Sequence, residues 1–250
     1  MAGHSKWANI KHKKAAADAV KGKVFSKIAK EIMVAARIGG GDPAANISLR
    51  ALVQKARGVN MPSDNIERAI KRGTGEMDGL VFEEILYEGY APGGVSVIIQ
   101  TLSDNKNRTA AEVRHAFSKH GGNLAGAGSV LRNFRRRGYF TIPAELVEED
   151  RLLDIALEAG AEDVQRDGGV FEVICEPSQY GAVSDALAAA SLTPGTSELT
   201  MLPDSTVPVT DADKAKQLIG FIEALEDLDD VQNVYANFDI SDEVMAKAQA

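Results

Sequence analysis

The sequence predicts an α+β protein. A basic three-helix N-terminal domain precedes two α/β sandwich-like domains, and one of these, ferredoxin-like in its β-α-β-β-α-β order, is inserted in the other. Three observations carry the prediction. Apolar residues recur at three- and four-residue spacings through the first 76 positions. A β-branched run from Val95 to Leu102 follows a second extended stretch, Phe82 to Tyr90, across Ala91-Pro92-Gly93-Gly94. From about residue 138 to 202, strand, helix, strand, strand, helix and strand patterns succeed one another.

The first helix carries Phe25, Ile28, Ile32, Ala35 and Ala36 on one face, and Gly39-Gly40-Gly41 stops it. Asp42-Pro43 reads as an N-cap with proline in the first turn of a second helix, which holds Leu49, Leu52, Val53 and Ala56. Pro62 opens a third helix through Ile66, Ala69 and Ile70, closed by Gly73. Beyond the Phe82–Leu102 hairpin lies a polar loop, Ser103 to Arg108, then a helix from Thr109 to Lys119, a glycine-rich flexible loop, and a strand from Ser129 to Phe134. The ferredoxin-like order takes strands near 138–142, 162–166, 170–175 and 196–202 and helices near 149–159 and 178–190. A final helix, Asp211 to Leu225, and strand, Val231 to Phe238, are too small for a domain and complete the sheet begun at 82. The expected division is 1–76, 77–134 with 204–240, an inserted 135–203, and a tail at 241–250.

Charge divides along the same line. Residues 1–76 hold 15 Lys and Arg against 6 Asp and Glu, a net of +9, whereas the rest of the chain carries −17. A basic module attracts polyanions, above all nucleic acid, and an acidic body is repelled by them. There is a single cysteine, Cys175, which excludes an internal disulfide and a multi-thiolate metal site. No run approaches the ~18 apolar residues of a membrane span, and the N-terminus lacks the apolar core of a secretory signal. The composition points to a reducing, cytoplasmic compartment, features that a mature organellar protein would share.

The strongest local signal is His4, Lys6, Lys11, His12, Lys13 and Lys14 around Trp7, the lone tryptophan. Cations there suit phosphates, and the indole suits stacking on a base or sugar. Lys21, Lys23, Lys27, Lys30 and Arg37 continue the positive charge along the first helix, and all but Lys30 are candidates for nucleic acid. A second candidate is the 103–109 loop, where Asn105, Lys106 and Arg108 at a helix start could hold a phosphate, or simply form a capped polar turn. The third is Arg132, Arg135, Arg136 and Arg137 at the handover to the inserted domain, readable as a charged hinge, a polyanion contact or a clamp on acidic neighbours. The acidic run Glu226 to Asp230 reads as a solvated turn. No P-loop, Gly-x-Ser-x-Gly elbow, His-Glu-x-x-His or C-x-x-C occurs. His115 and Asp104 lack an accompanying nucleophile or metal set, so no catalytic residue, metal or cofactor is expected.

Several of these stretches resemble the YebC family of bacterial regulators. They are Met1 to His12, Gly39 to Pro43, Asn60 to Pro62, Asn65 to Gly73, Tyr87 to Tyr90, Asp104 to Thr109, Glu112 to Asn123 and Leu225 to Tyr235. The resemblance spans nearly the full length. It implies a three-domain, cytoplasmic α+β protein described as a DNA-binding transcriptional regulator, with no enzymatic activity. It also implies mitochondrial relatives that activate translation and bacterial members linked to the ribosome. Lys6, Lys11, Lys13, Lys14 and Lys21 are the residues it turns toward nucleic acid. One departure stands out. Where the family commonly has Gly-Thr-Asp-Gly-Ser-Val, this chain reads Gly126-Ala127-Gly128-Ser129-Val130, losing an acidic position and gaining Arg132.

The function these readings favour is a non-enzymatic DNA-binding transcriptional regulator gripping phosphates with its basic arm. A translation factor on ribosomal RNA is the alternative, because the same lysines serve either polymer. The acidic domains are expected to offer docking surfaces for the ribosome or the transcription machinery, or for a second copy of the chain in a homodimer.

Overall fold

A computed structural model describes residues 18–77 and 81–249. His4, Lys6, Trp7, Lys11, His12, Lys13 and Lys14 lie outside the described residues, as does the side chain of Lys21.

Three helices open the described chain: α1 (Asp18–Gly39), α2 (Ile47–Gly58) and α3 (Ser63–Thr74). They close a small core in which Ile28, Ile32, Ala36, Leu49, Ala56 and Ile66 are buried. The turn between α1 and α2 departs from the sequence reading. Asp42 caps a local turn by accepting from Ala44 N–H at 2.8 Å, and the helix N-cap is Asn46. The Asn46 side chain accepts from Leu49 N–H and donates to the carbonyls of Ala35 and Gly40. It therefore ties the end of one helix to the start of the next, which a cap at Asp42 could not do. At Gly73, α1 and α3 approach so closely that a Cβ would lie 2.5 Å from the Met33 carbonyl oxygen.

The first sheet has the order β3-β1-β2-β9, with β1 (Glu83–Ala91), β2 (Val95–Ser103), β3 (Asn123–Leu124) and β9 (Val231–Ala236), all antiparallel. Helix α4 (Lys106–His120) and helix α7 (Ala212–Glu226) cover one face, where Val97, Ile99, Phe117 and Phe221 meet. Ile98 points to the other face and packs with Val130 and Phe134. Both faces of β2 are thus buried, which explains its unbroken apolar run.

Four strands of the second sheet run in the order β5-β6-β4-β7: β4 (Phe134–Pro143), β5 (Ala161–Asp167), β6 (Val170–Cys175) and β7 (Thr196–Pro203). All pairings are antiparallel, and the first and third strands of the unit are central, as in ferredoxin-like sheets. Helices α5 (Glu149–Glu158) and α6 (Tyr180–Ala189) cover Phe140, Ile142, Phe171 and Val173. A short parallel pair, β8 (Val207–Pro208) with β10 (Phe238–Asp239), follows. The segment read as a tail is helix α8 (Asp242–Gln249), whose Met245 and Ala248 enter the first sheet's core. No described helix is long and apolar enough to cross a membrane.

Two loop expectations change. Helix α4 begins at Lys106, three residues before Thr109, because Asn105 caps it by accepting from Arg108 N–H. Lys106 and Arg108 therefore occupy a first helical turn. The expected strand at 129–134 is a turn and a 3₁₀ segment at 131–133. Its backbone N–H groups at Gly128, Val130 and Leu131 are taken by the Glu88 carboxylate at 2.6, 2.7 and 2.8 Å. With those donors engaged, no ladder forms there, and the glycine-rich stretch is pinned to β1 instead of running free.

Candidate nucleic-acid interface

Helix α1 sorts its residues into stripes of three- and four-residue spacing. Ile28, Ile32 and Ala36 form the core stripe. Lys23, Lys27 and Lys30 form a second, aimed at the end of α7. Lys27 Nζ donates to Glu226 O at 2.6 Å, Lys23 Nζ to Asp227 O at 3.3 Å and Oδ1 at 3.4 Å, and Lys30 Nζ to Asp229 O at 2.9 Å. The last carbonyls of a helix lack intrahelical donors and carry the negative end of its dipole. Lys27 and Lys23 supply donors to the last helical carbonyl and the cap carbonyl, and Lys30 reaches the turn just beyond them. Lys23 and Lys27, expected on nucleic acid, are thus held by the acidic body.

Asp230 is the centre of this junction. Its side chain is 2% exposed. Oδ1 receives Lys30 Nζ at 3.0 Å, while Oδ2 receives Arg108 Nη2 at 2.6 Å, Thr109 Oγ1 at 2.7 Å and Ser103 Oγ at 3.1 Å. Burial alone would raise this carboxyl's pKa, but the hydrogen bonds from Arg108, Thr109 and Lys30 outweigh it and hold the group at about 2. In return Asp230, with Asp104 at 2.8 Å, holds the Arg108 guanidinium further toward its charged form. The run read as a solvated turn therefore ends in a buried, fully ligated anion. Lys106 pairs with Glu83, and Asn105 caps α4, so each candidate of the 103–109 segment has a partner within the chain.

The arginines at the handover divide. Arg135 pairs with Asp204 at 3.3 Å, and Arg137 bridges Glu162 at 3.1 Å and Glu176 at 2.9 Å. These clamp the second sheet. Arg132 and Arg136 are exposed and make no ion pair among the described residues. Arg136 lies near enough to Tyr235 to act on its hydroxyl, whose pKa is pushed up by burial and then by Glu198 and Glu31. Glu31 comes from α1 and Glu198 from β7, so all three units approach each other around Tyr235.

On the helical unit, Arg37, Arg57, Arg68, Lys71 and Arg72 are exposed, and none has an acidic partner among the described residues. Sequence reasoning makes only Arg37 of these five a binding candidate, and it gives Lys30, Asp230 and Glu88 no functional role. The regular spacing of 23, 27 and 30 was the visible signal for the lysine stripe. Nothing local marks Asp230, because its donors come from segments more than 100 residues away. Asp104 is occupied by Arg108, and His115 is exposed without a contact to it. No group of three or more His, Cys, Asp or Glu side chains suited to a metal ion occurs among the described residues.

Known proteins resemble this chain along its length. Residues 5–76 match the model described as the TACO1/YebC protein N-terminal domain, and residues 82–238 the model of the TACO1/YebC second and third domain. A protein of Acidithiobacillus ferrooxidans named "Probable transcriptional regulatory protein" is 55% identical, with 100% of this chain and 99% of the other aligned. One of the same name from Desulfatibacillum aliphaticivorans is 53% identical over 99% of this chain and 100% of its own. The crystal structure of a conserved hypothetical protein from Aquifex aeolicus superposes with a TM-score of 0.81 at 47% identity, covering 91% of this chain and 94% of that one. Matched from residue 5 to 76 and again from 82 to 238, the chain belongs to the TACO1/YebC family.

Proposed function

We propose that this protein is a non-enzymatic, cytoplasmic nucleic-acid-binding regulator that acts on DNA, its basic N-terminal unit supplying the phosphate contacts. The observation that carries this reading is the sorting of charge on the helical unit. Lysines that face the acidic body are held there, Lys30 by the Asp230 carboxylate and Lys27 by the Glu226 carbonyl, whereas Arg37, Arg57, Arg68, Lys71 and Arg72 remain exposed without acidic partners among the described residues. Had the positive charge served only to dock the two units, the outward cations would have no role. The relatives' name, "Probable transcriptional regulatory protein", supports regulation of transcription.

A translation factor on ribosomal RNA is the second reading. Phe25, partly exposed beside the α3 arginines, favours it, since RNA loops present unpaired bases that stack on aromatic rings. Crosslinking in cells followed by sequencing of the captured nucleic acid separates the two. Promoter DNA supports the first, ribosomal RNA the second, and recovery of neither defeats both. In vitro, about six phosphate contacts would make log K fall against log salt with a slope of roughly −5 on duplex DNA, and a flat dependence would refute the phosphate grip.

A further inference from the structure

A groove between α1 and α3 sets cationic side chains beside partly exposed core residues. It is an open, shallow cleft of about 160 Å³, smaller than drug-sized ligand sites. Phe25, Met33 and Met61 form its apolar floor, and Asn65, Arg68 and Arg72 line its α3 side at three- and four-residue spacing. Asp64 stands four residues before Arg68, a spacing that supports an ion pair, yet none forms among the described residues. Both guanidinium-bearing residues are exposed while their side chains border the cleft. Met61 is 6% exposed, so the floor is an extension of the core, and Phe25 and Met33 pack against that core while staying partly exposed.

We infer that this groove seats one unpaired nucleotide of a single-stranded nucleic acid. The inference rests on the nucleic-acid reading above and narrows it to a strand form. A base lies against Phe25 and the methionine thioethers, Asn65 meets its polar edge, and the flanking phosphates lie on Arg68 and Arg72. Aromatic rings accept any base by stacking, and guanidinium groups match phosphate oxygens with paired N–H donors. A base still stacked and paired in a duplex cannot turn its face onto the groove, whereas an unpaired base can lie on it from the open side. An apolar small molecule would leave the two cations unused, and a purely electrostatic phosphate site would not need the aromatic floor.

The test measures fluorescence anisotropy of the full chain with roughly 12-nucleotide single strands of DNA and of RNA, and with the matching duplex. The groove predicts that at least one single strand binds about tenfold tighter than duplex, and the tighter of the two names the polymer. Arg68→Gln is expected to weaken single-strand binding about tenfold, whereas Lys216→Gln, the same charge loss on the exposed face of α7, changes it less than about twofold. Phe25→Leu should weaken single-strand binding and leave duplex binding intact. Should Phe25→Leu melt early, the exposed Arg68→Gln variant still decides. Equal binding of duplex and single strand, with Arg68→Gln and Lys216→Gln alike, overturns the groove and leaves the nucleic-acid reading standing. Failure to bind any polynucleotide at low salt overturns both. If Arg68→Gln abolishes self-association in sedimentation without altering oligonucleotide affinity, the groove belongs to a second copy and the proposal falls.

Discussion

Lys30 Nζ lies 3.0 Å from Asp230 Oδ1, and this contact joins the basic helical unit to the acidic body through a carboxylate that is 2% exposed. Asp230 holds Arg108 on its other oxygen, so one anion fixes both α1 and the first turn of α4. Removing the anion leaves two cations facing each other, whereas removing Lys30 leaves Asp230 with three remaining donors. Asp230→Asn is therefore expected to cost about 2–3 kcal/mol, below the usual range for a fully buried pair because Arg108 is partly exposed. Lys30→Met should cost about 1 kcal/mol. Urea unfolding of both variants checks the order, and a larger loss for Lys30→Met would show that Asp230 is not the centre of the junction.

The same carboxylate makes folding sensitive to acid. Its pKa is about 2 in the folded protein, against an ordinary 3.8. A lowered folded value means that the unfolded chain takes up the proton first. The stabilisation is complete above pH ~4 and is lost as pH falls through ~2, amounting to about 2 kcal/mol. Urea midpoints measured from pH 5 to pH 2 should fall more steeply for the native chain than for Asp230→Asn. Parallel curves would remove Asp230 from the acid response.

How far the fold was legible follows from where each signal resides. Periodicity and turn residues are local, so the helices up to α7, the β1–β2 hairpin and the β-α-β-β-α-β order could be read directly, while α8 reads as a tail. The cap of α2 could not, since Asp42 and Asn46 are both good cap residues and the choice is made by the carbonyls of Ala35 and Gly40. The strand expected at 129–134 failed because Glu88, some 40 positions earlier, takes its N–H groups. The charge split was visible as a sum. Its division into docked lysines and outward arginines depends on which side of α1 meets α7, and that is a tertiary fact.

Glu88 accepts three backbone N–H groups with its two oxygens, and these bonds lower its pKa against the opposing effect of burial. A glutamine there offers one oxygen and turns an NH₂ toward donors. Glu88→Gln should destabilise the protein by about 2 kcal/mol and speed hydrogen exchange at Gly128, Val130 and Leu131 before any change at β2. Unchanged exchange at those three amides would mean that the loop is held by its own turns.

Gly73 tests whether the close approach of α1 and α3 is required. A Cβ at this position would meet the Met33 carbonyl oxygen at 2.5 Å and the Ala36 Cβ at 2.8 Å. Helix propensity alone favours alanine by about 1 kcal/mol. Overpacking against backbone reverses the sign, so Gly73→Ala should destabilise by about 1–3 kcal/mol. A rise in melting temperature would show that the helices can separate freely.

Salt dependence distinguishes docked from outward cations. Each phosphate contact contributes about 0.9 to the slope of log K against log salt on duplex DNA, or about 0.7 on single strands. Lys27 Nζ already donates to Glu226 O at 2.6 Å, so it neutralises no phosphate while α1 stays docked. Arg72 is exposed and has no acidic partner among the described residues. Arg72→Gln should therefore flatten the slope by nearly one, and Lys27→Gln should leave it unchanged. If Lys27→Gln flattens it equally, Lys27 reaches phosphate in the complex, which requires α1 to leave the end of α7. The docked arrangement would then be the form without nucleic acid, and the acidic run at Glu226 to Asp230 a competitor for the same lysines.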